Sequence, residues 1–204
     1  MPPIPINLAT EDELSEVVLF KILAVTNRYA VGTQYRRGGY GYLRRTVLGW
    51  NRAAKGVPFV VLTDLDTANC PAALINSWLT VPKHANLSFR VAVREVESWL
   101  LADSTNFSSY VRIPAGLIPT APDMLDNPKA KLVELARRSR AKDLRERLVP
   151  RAGSTAKQGP DYNGCLAAFV HESWNVSAAC ANSPSLAKTV ARIKVFDPVW
   201  ATDS

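Results

Sequence analysis

The sequence has few of the features expected of a membrane protein, a secreted disulfide framework or a histidine-rich metal site. No apolar run approaches the ~20 residues that span a bilayer, and the opening MPPIPINLAT has neither a basic region nor a long apolar core. We therefore predict no membrane association and no secretory signal. The three cysteines are odd in number and lack metal spacing, which predicts reduced thiols in a cytoplasmic protein. Because there are only two histidines, a metal would be held mainly by oxygen.

Acidic residues are missing from a long part of the chain, although the whole chain carries a net charge of +7. Residues 17–63 contain no Asp or Glu but eight basic residues, and residues 129–157 contain ten basic residues against three acidic ones. The acids concentrate at the opening EDELSE and in the middle of the chain. An acidic site between basic flanks suits a polyanionic substrate that needs a metal. The alternative is a basic surface that only keeps the protein in solution.

Apolar periodicity predicts an α/β fold in the first half of the chain. Strands are expected at 4–9, 29–36, 57–62 and 87–93, and helices at 13–28, 43–54, 71–79 and 95–102. The run VPFVVL does not alternate with polar residues, which indicates a strand that is covered on both faces. The rhythm of strand and helix predicts a mostly parallel sheet with helices on both faces.

The pattern changes after residue 103. A proline-rich loop, a basic helix at 128–147, a second long loop and a helical end at 165–195 follow one another. We therefore expect an α/β core at 1–104 and a loop-rich, mainly helical extension at 105–204 that packs on it.

Carboxylates follow three of the predicted strands. The pairs are Glu11 with Asp12, Asp64 with Asp66, and Glu95 with Glu97. Residues two apart in a strand share a face, so Asp64 and Asp66 are expected ~6–7 Å apart along the backbone. The carboxyl ends of parallel strands meet where α/β sheets bind ligands. Clustered carboxylates repel one another unless a cation neutralises them, and hard ions such as Mg²⁺ prefer oxygen ligands.

Each pair also has a purely structural explanation. Asp64 or Asp66 would suit the cap of the following helix, and Glu95 and Glu97 would suit a solvated helix face beside Arg94. The coincidence at three strand ends favours the metal site.

The stretches NLATEDELSE, FVVLTDLD and FRVAVREVESWLLAD resemble, in this order and spacing, a bacterial family related to the TOPRIM domain. TOPRIM is the metal-binding, Rossmann-like fold of topoisomerases, primases and OLD-type nucleases. In its pattern Glu11 matches the Glu after the first strand, and Asp64 and Asp66 match the later Asp-x-Asp. A glycine usually follows that first Glu, whereas Asp12 follows here, so Asp12 stays open as the ligand. The resemblance also extends to NPK at 127–129 and AKQGPDYNG at 156–164.

The resemblance implies a Mg²⁺- or Mn²⁺-dependent nuclease, that is, a phosphodiester hydrolase. Glu11, Asp64 and Asp66 would hold metal, and Glu95 or Glu97 would complete a second metal site or act as general base. Lys157 would contact phosphate or the transition state. Relatives of this kind look like parts of mobile-element or phage-defence systems, which implies nucleic acid and a protein of a defence system as partners.

The stretch RRGGYGYLRR at 36–45 places a glycine-rich loop, residues 37–42, before a helix. Backbone amides at a helix start and arginines both bind phosphate. The candidate phosphate contacts are Arg36, Arg37, Arg44, Arg45 and Arg52. The alternative for the loop is a mobile surface segment. Two other functions remain open: a non-catalytic nucleic-acid- or partner-binding module of a defence complex, and a nucleotide-binding phosphotransferase that uses the glycine loop as a cradle.

Overall fold

The computed structural model describes residues 2–36 and 38–200 and has an α/β fold with a four-stranded, all-parallel sheet. The strands are β1 (Ile4–Thr10), β2 (Tyr29–Tyr35), β3 (Phe59–Asp64) and β4 (Leu87–Ala92). They are connected by the helices α1 (Glu13–Thr26), α2 (Gly39–Ala53) and α3 (Pro71–Trp78). The predicted fold class is confirmed, and each strand begins and ends within two residues of its expected position.

The strand order is β2-β1-β3-β4. The chain passes from β1 to β2 at one edge of the sheet, then crosses back to β3 and continues to β4 at the other edge. Since parallel crossovers are right-handed, α1 covers one face and both α2 and α3 cover the other. Trp50 of α2 stacks against Phe59, and Trp78 of α3 packs against Phe89. The reversal between β1 and β3 creates the crevice where α/β sheets bind ligands.

The central strand β3 is buried along its whole length because helices lie on both of its faces. Its neighbours are in parallel register, with Thr10 opposite Leu62 on one side and Asp64 opposite Ala92 on the other. The ends of β3 and β4 are therefore level, whereas β1 ends two residues earlier, opposite Leu62, and Glu11 follows it beside the last two residues of β3.

The chain forms two compact units. The first takes the described residues up to Ala92 together with those from Lys188 onward, and the second is Val93–Ala187. The sequence instead predicts a division at residue 104. The second unit is helical, and its last helix begins before Ala187 and extends beyond it. The helices are α4 (Val96–Ala102), α5 (Ser104–Val111), α6 (Pro128–Arg137), α7 (Lys142–Leu148), α8 (Tyr162–Glu172), α9 (Val176–Asn182) and α10 (Pro184–Lys194), with 3₁₀ turns at Ala115–Leu117 and Pro122–Met124.

The second unit has its own aromatic core. Trp99, Trp174, Phe107 and Phe169 are almost completely buried. The indole of Trp174 donates to the carbonyl of Trp99 at 3.2 Å, and Phe107 meets Phe169 edge-on. In the part of the chain that the structure describes, no helix is both long and apolar enough to cross a bilayer.

The end of the chain at 165–195 is helical, as expected, and consists of three helices, with Asn175 capping α9 and Pro184 starting α10. Two other expectations are wrong. The basic helix at 128–147 is two helices, because the chain turns at Ser139, whose hydroxyl accepts the Ala141 N–H. The glycine-rich loop at 37–42 is short, because α2 already begins at Gly39 and Gly38 takes the left-handed conformation that glycine tolerates.

Candidate functional site

Glu11 lies at the crevice between β1 and β3 and reaches across to the end of β3. Its Oε1 accepts hydrogen bonds from the hydroxyl of Thr63 and from the backbone N–H of Asp64, the latter at 3.0 Å. Its Oε2 accepts no hydrogen bond from any residue in 2–36 or 38–200. The carboxylate is thus fixed through one oxygen and keeps the other available for a ligand.

The surroundings of Glu11 disfavour its negative charge. Burial raises the pKa of Glu11 above its ordinary value, and the charges of Asp66 and Asp12 raise that pKa further. The hydrogen bonds from Thr63 and Asp64 lower the pKa but do not cancel the increase. A cation at this position would remove both unfavourable contributions, because it would replace lost solvation and screen the neighbouring carboxylates.

Asp12 has a structural role that differs from that of Glu11. Its backbone is extended, and its Oδ1 accepts the N–H of Ser15 at 2.8 Å, which makes it the N-cap of α1. The structure therefore favours Glu11 over Asp12 as the ligand that follows the first strand.

Asp64 and Asp66 differ in their environments. Asp64 is the last residue of β3 and is buried, whereas Asp66 is exposed in the turn that follows and has a positive φ of 48°. The expectation that strand geometry aligns the two side chains is therefore wrong, because β3 ends before Asp66. Neither residue caps α3, since the Ala73 N–H donates to the Cys70 sulfur.

The donor set fits Mg²⁺ in its chemistry, since it consists of carboxylate oxygens with one Glu11 oxygen unused. Across residues 2–36 and 38–200 there is no preassembled group of three or more Asp, Glu, His or Cys side chains that would hold a metal. Mg²⁺ commonly keeps several waters and binds through only one or two carboxylates together with substrate phosphate. The charge of Asp66 raises the pKa of Glu11, so these two carboxylates interact electrostatically and are the pair on which a magnesium hypothesis depends.

Glu95 and Glu97 belong to the second unit, and neither lies on a solvated helix face as the structural alternative supposed. Glu97 is only 2% exposed; the hydroxyl of Tyr162 donates to its Oε1 at 3.1 Å, and the Lys129 ammonium lies 3.5 Å from the same oxygen. Glu95 is half-buried, and its Oε2 accepts the backbone N–H of Lys129 at 2.8 Å. A joint metal site with the first unit stays a prediction.

The sequence interpretation missed Lys129 and Tyr162 as partners of these glutamates. Both lie in the stretches NPK and AKQGPDYNG, so the signal was in the sequence but carried no indication of the contact. Asn127 caps α6 by accepting the Ala130 N–H at 2.7 Å, which positions Lys129 in the first turn, where it meets both glutamates.

Lys157 is exposed on the loop between α7 and α8 and lines a cavity of about 480 Å³ in the second unit. Glu95, Lys129 and Arg137 line the same cavity. The placement of Lys157 beside other cations is consistent with its proposed contact with phosphate.

The candidate arginines of the first unit divide into two groups. Arg44, Arg45 and Arg52 are exposed on α2, away from its buried stripe of Leu43, Val47 and Trp50, and none of the three forms an ion pair within the described chain. Arg36 instead forms an ion pair with Glu16 at 2.9 Å. Arg37 lies outside the described residues.

Searches of protein-family models, of curated proteins and of solved structures find no match to this chain. The likeness to TOPRIM domains therefore rests on the motifs of this chain.

Proposed function

We propose that the chain is a Mg²⁺-dependent nuclease whose metal site is the TOPRIM-like acidic crevice between β1 and β3. The observation that carries the proposal is the Glu11 carboxylate, which is oriented by Thr63 and Asp64 and kept close to Asp66 at an electrostatic cost. A fold maintains such repulsion most readily where a cation relieves it.

In this proposal Glu11, Asp64 and Asp66 hold the metal. Bound Mg²⁺ would supply activation of the attacking water and stabilisation of the charge that develops on phosphate. The Thr63 hydroxyl and the Asp64 N–H keep the Glu11 carboxylate in one orientation, so that no reorganisation is needed when substrate binds. Asp66 stands on the exposed side, where a substrate phosphate approaches.

Metal binding is tested first, without any assay of activity. The melting temperature is measured in EDTA and in increasing Mg²⁺ or Mn²⁺, and heats of binding are measured by calorimetry. A ligand that binds the folded state at about 100 times its Kd stabilises that state by about 2.7 kcal/mol. We expect this stabilisation in the wild type, a large loss in Glu11→Gln and Asp66→Asn, and no loss in Glu13→Gln, which removes the same charge from an exposed position two residues from Glu11.

Cleavage is tested next on labelled single- and double-stranded DNA and RNA. We expect Asp64→Asn to abolish cleavage while the protein still folds. Metal stabilisation that is equal in the wild type and Glu11→Gln, or full cleavage by Asp64→Asn at limiting Mg²⁺, would remove the proposed site.

A second candidate is a module that binds nucleic acid without cleaving it. The exposure of Arg44, Arg45 and Arg52, all without ion pairs in the described chain, favours it. Salt-sensitive binding that the double variant Arg44→Gln/Arg45→Gln weakens, in a protein that shows no metal stabilisation, would support this candidate over the nuclease. The phosphotransferase alternative is weaker, because the glycine segment that would serve as its cradle already forms the start of α2.

A further inference from the structure

The second unit carries two adjoining cavities along α6, α7 and the loop that follows α7. The first has a volume of about 480 Å³, and the second, of about 690 Å³, is lined by Arg145 and Arg151. Arg137 and Pro150 line both cavities, so the two are neighbours on the surface. We call this surface the α6–α7 groove and define it by Lys129, Arg137, Arg145, Pro150, Arg151 and Lys157.

The cations of the groove outnumber the acids that could neutralise them. Arg137, Arg151 and Lys157 are exposed and form no ion pair with another residue of the described chain. Three acids line the walls, and two of them have cationic partners outside the groove: Glu134 lies 2.8 Å from Lys131, and Glu146 lies 3.8 Å from Lys142. The groove therefore presents positive charge that the fold itself does not compensate.

The loop that carries Lys157 is held against the end of α7. The Gly159 N–H donates to the carbonyl of Leu148 at 3.0 Å, and the backbones are so close that a Cβ on Gly159 would stand 2.1 Å from the carbonyl oxygen of Arg147. Arg147 also forms an ion pair with Asp161 at 2.6 Å. These contacts position Lys157 on the groove instead of leaving it on a free loop.

We propose that the α6–α7 groove binds the phosphodiester backbone of single-stranded nucleic acid. Arginine binds phosphate through two parallel hydrogen bonds, and each cavity has a volume typical of a site for one small ligand. Two neighbouring cavities that share Arg137 suit a repeating phosphate chain better than a single anion. A concave groove admits a flexible strand, whereas a duplex presents its phosphates on a convex surface.

Glu95 places a carboxylate at one end of the otherwise basic groove. Its Oε2 accepts the Lys129 N–H, while its Oε1 accepts no hydrogen bond from the described residues. A carboxylate repels phosphate but accepts hydrogen bonds from sugar hydroxyls and base amino groups. The strand therefore places its phosphates near Arg137 and Lys157 and a sugar or base edge near Glu95.

The proposal concerns binding and takes from the proposed function only the choice of nucleic acid as ligand. Binding of a labelled 12-nucleotide single strand is measured by fluorescence anisotropy in EDTA, at several salt concentrations. We expect Arg137→Gln/Lys157→Gln to weaken binding roughly tenfold and to flatten the log–log salt dependence by about 1.4, since each phosphate contact on a single strand contributes ~0.7.

The matched control is Lys188→Gln/Lys194→Gln, which removes the same charge from exposed positions of α10 outside the groove. The control is expected to bind within about twofold of the wild type. Equal effects of the two double variants would overturn the proposal, because the loss would then reflect net charge alone. Both variants are checked for an unchanged melting temperature.

Two further arms separate the possible ligands. Affinity should rise from a mononucleotide through 4-, 8- and 12-nucleotide strands; inorganic phosphate or a mononucleotide that binds as tightly as the longest strand would overturn the strand assignment. A duplex that competes as well as the single strand would do the same. Since EDTA is present throughout, no metal contributes to this binding, so failure of the metal site and failure of the groove are seen separately.

Discussion

The contact between Tyr162 and Glu97 allows a sharp test of what the buried glutamate does. Both side chains are 2% exposed, and the phenol hydroxyl donates to the carboxylate at 3.1 Å. We predict that Glu97 stabilises the second unit and positions Lys129, and that it does not act as a general base on substrate. Tyr162→Phe removes only the hydroxyl and leaves the ring in its place.

The expected magnitude follows from the burial and charge of this contact. A hydrogen bond to a charged group contributes about 1.5–3 kcal/mol, so Tyr162→Phe is expected to lower the free energy of unfolding by about 2 kcal/mol. For a chain of this size that corresponds to about 4–8 °C in melting temperature. Glu97→Ala removes the buried partner of Lys129, whose side chain is 32% exposed, and is expected to cost about 3 kcal/mol, the low end of the range for buried ion pairs.

A double-mutant cycle in urea, followed by tryptophan fluorescence, measures the coupling between the two side chains. Once Glu97 is Ala, removal of the Tyr162 hydroxyl should cost less than about 0.5 kcal/mol, which gives a coupling of about 1.5–2 kcal/mol. Tyr110→Phe is the matched control, because its hydroxyl donates to the neutral carbonyl of Cys165 at 2.7 Å, and such a bond contributes about 1 kcal/mol. Additive costs, or a Tyr162→Phe cost no larger than that of Tyr110→Phe, would refute the reasoning.

Three further predictions concern single positions. The pKa of Glu11 is raised in the folded state, so the protein loses stability as the pH rises through that pKa and Glu11 ionises. In EDTA and at neutral pH, Glu11→Gln should therefore have a higher melting temperature than the wild type. The difference should vanish below pH ~4, near the ordinary pKa of a glutamate, where Glu11 is protonated in both states. Asp12→Ala should cost about 1 kcal/mol in urea unfolding, through loss of the α1 cap, while Asp12→Asn should cost much less. Gly159→Ala should lower the free energy of unfolding by about 1–3 kcal/mol, because the added Cβ would overlap the backbone of α7. The control is Gly116→Ala, where nothing lies within 4 Å of the added Cβ, and its free energy of unfolding should stay within about 0.5 kcal/mol of the wild type.

The sheet could be predicted because its strands have unmistakable local signals. The run PFVVLT is apolar without alternation, and in the structure β3 is buried throughout. Thr10 and Asp12 both lie between a strand and an amphipathic helix, where either residue type suits a cap, and in the structure Asp12 caps the helix. Signals of this kind act over a few neighbouring residues, so they can be read from a single sequence.

The helices of the second half were less predictable because their ends depend on tertiary contacts. The basic segment at 128–147 has helical composition throughout, yet the chain turns at Ser139, where Arg145 donates to the Ser139 carbonyl at 2.7 Å. Trp200 is 48% exposed, although tryptophan side chains are highly buried on average. Composition indicates a tendency to form helix or core but does not say where a neighbouring element interrupts it.

The candidate sites were also hard to predict, because they depend on contacts between residues that are far apart in the sequence. Glu11 was predicted as a ligand from its position after a strand, but its contact with Thr63 depends on the register of β1 with β3. The groove was not predicted at all, since Glu95, Lys129 and Lys157 come from three separate segments that only packing brings to one cavity.

Most residues of the stretches NPK and AKQGPDYNG that we discuss have a structural role that accounts for their identity. Asn127 is accounted for by its cap of α6, Gly159 by the close approach to α7, and Gly164 by the Asp161 carboxylate, which would stand 2.2 Å from an added Cβ. The fold itself requires these residues, so their presence in a motif says nothing further about chemistry. No such structural task accounts for Lys157, whose exposed ammonium forms no ion pair in the described chain. A long cation on a loop that is anchored at a glycine is what a phosphate-binding surface requires, and for this reason we place the first test of the groove at Lys157 and not at the better buried residues around it.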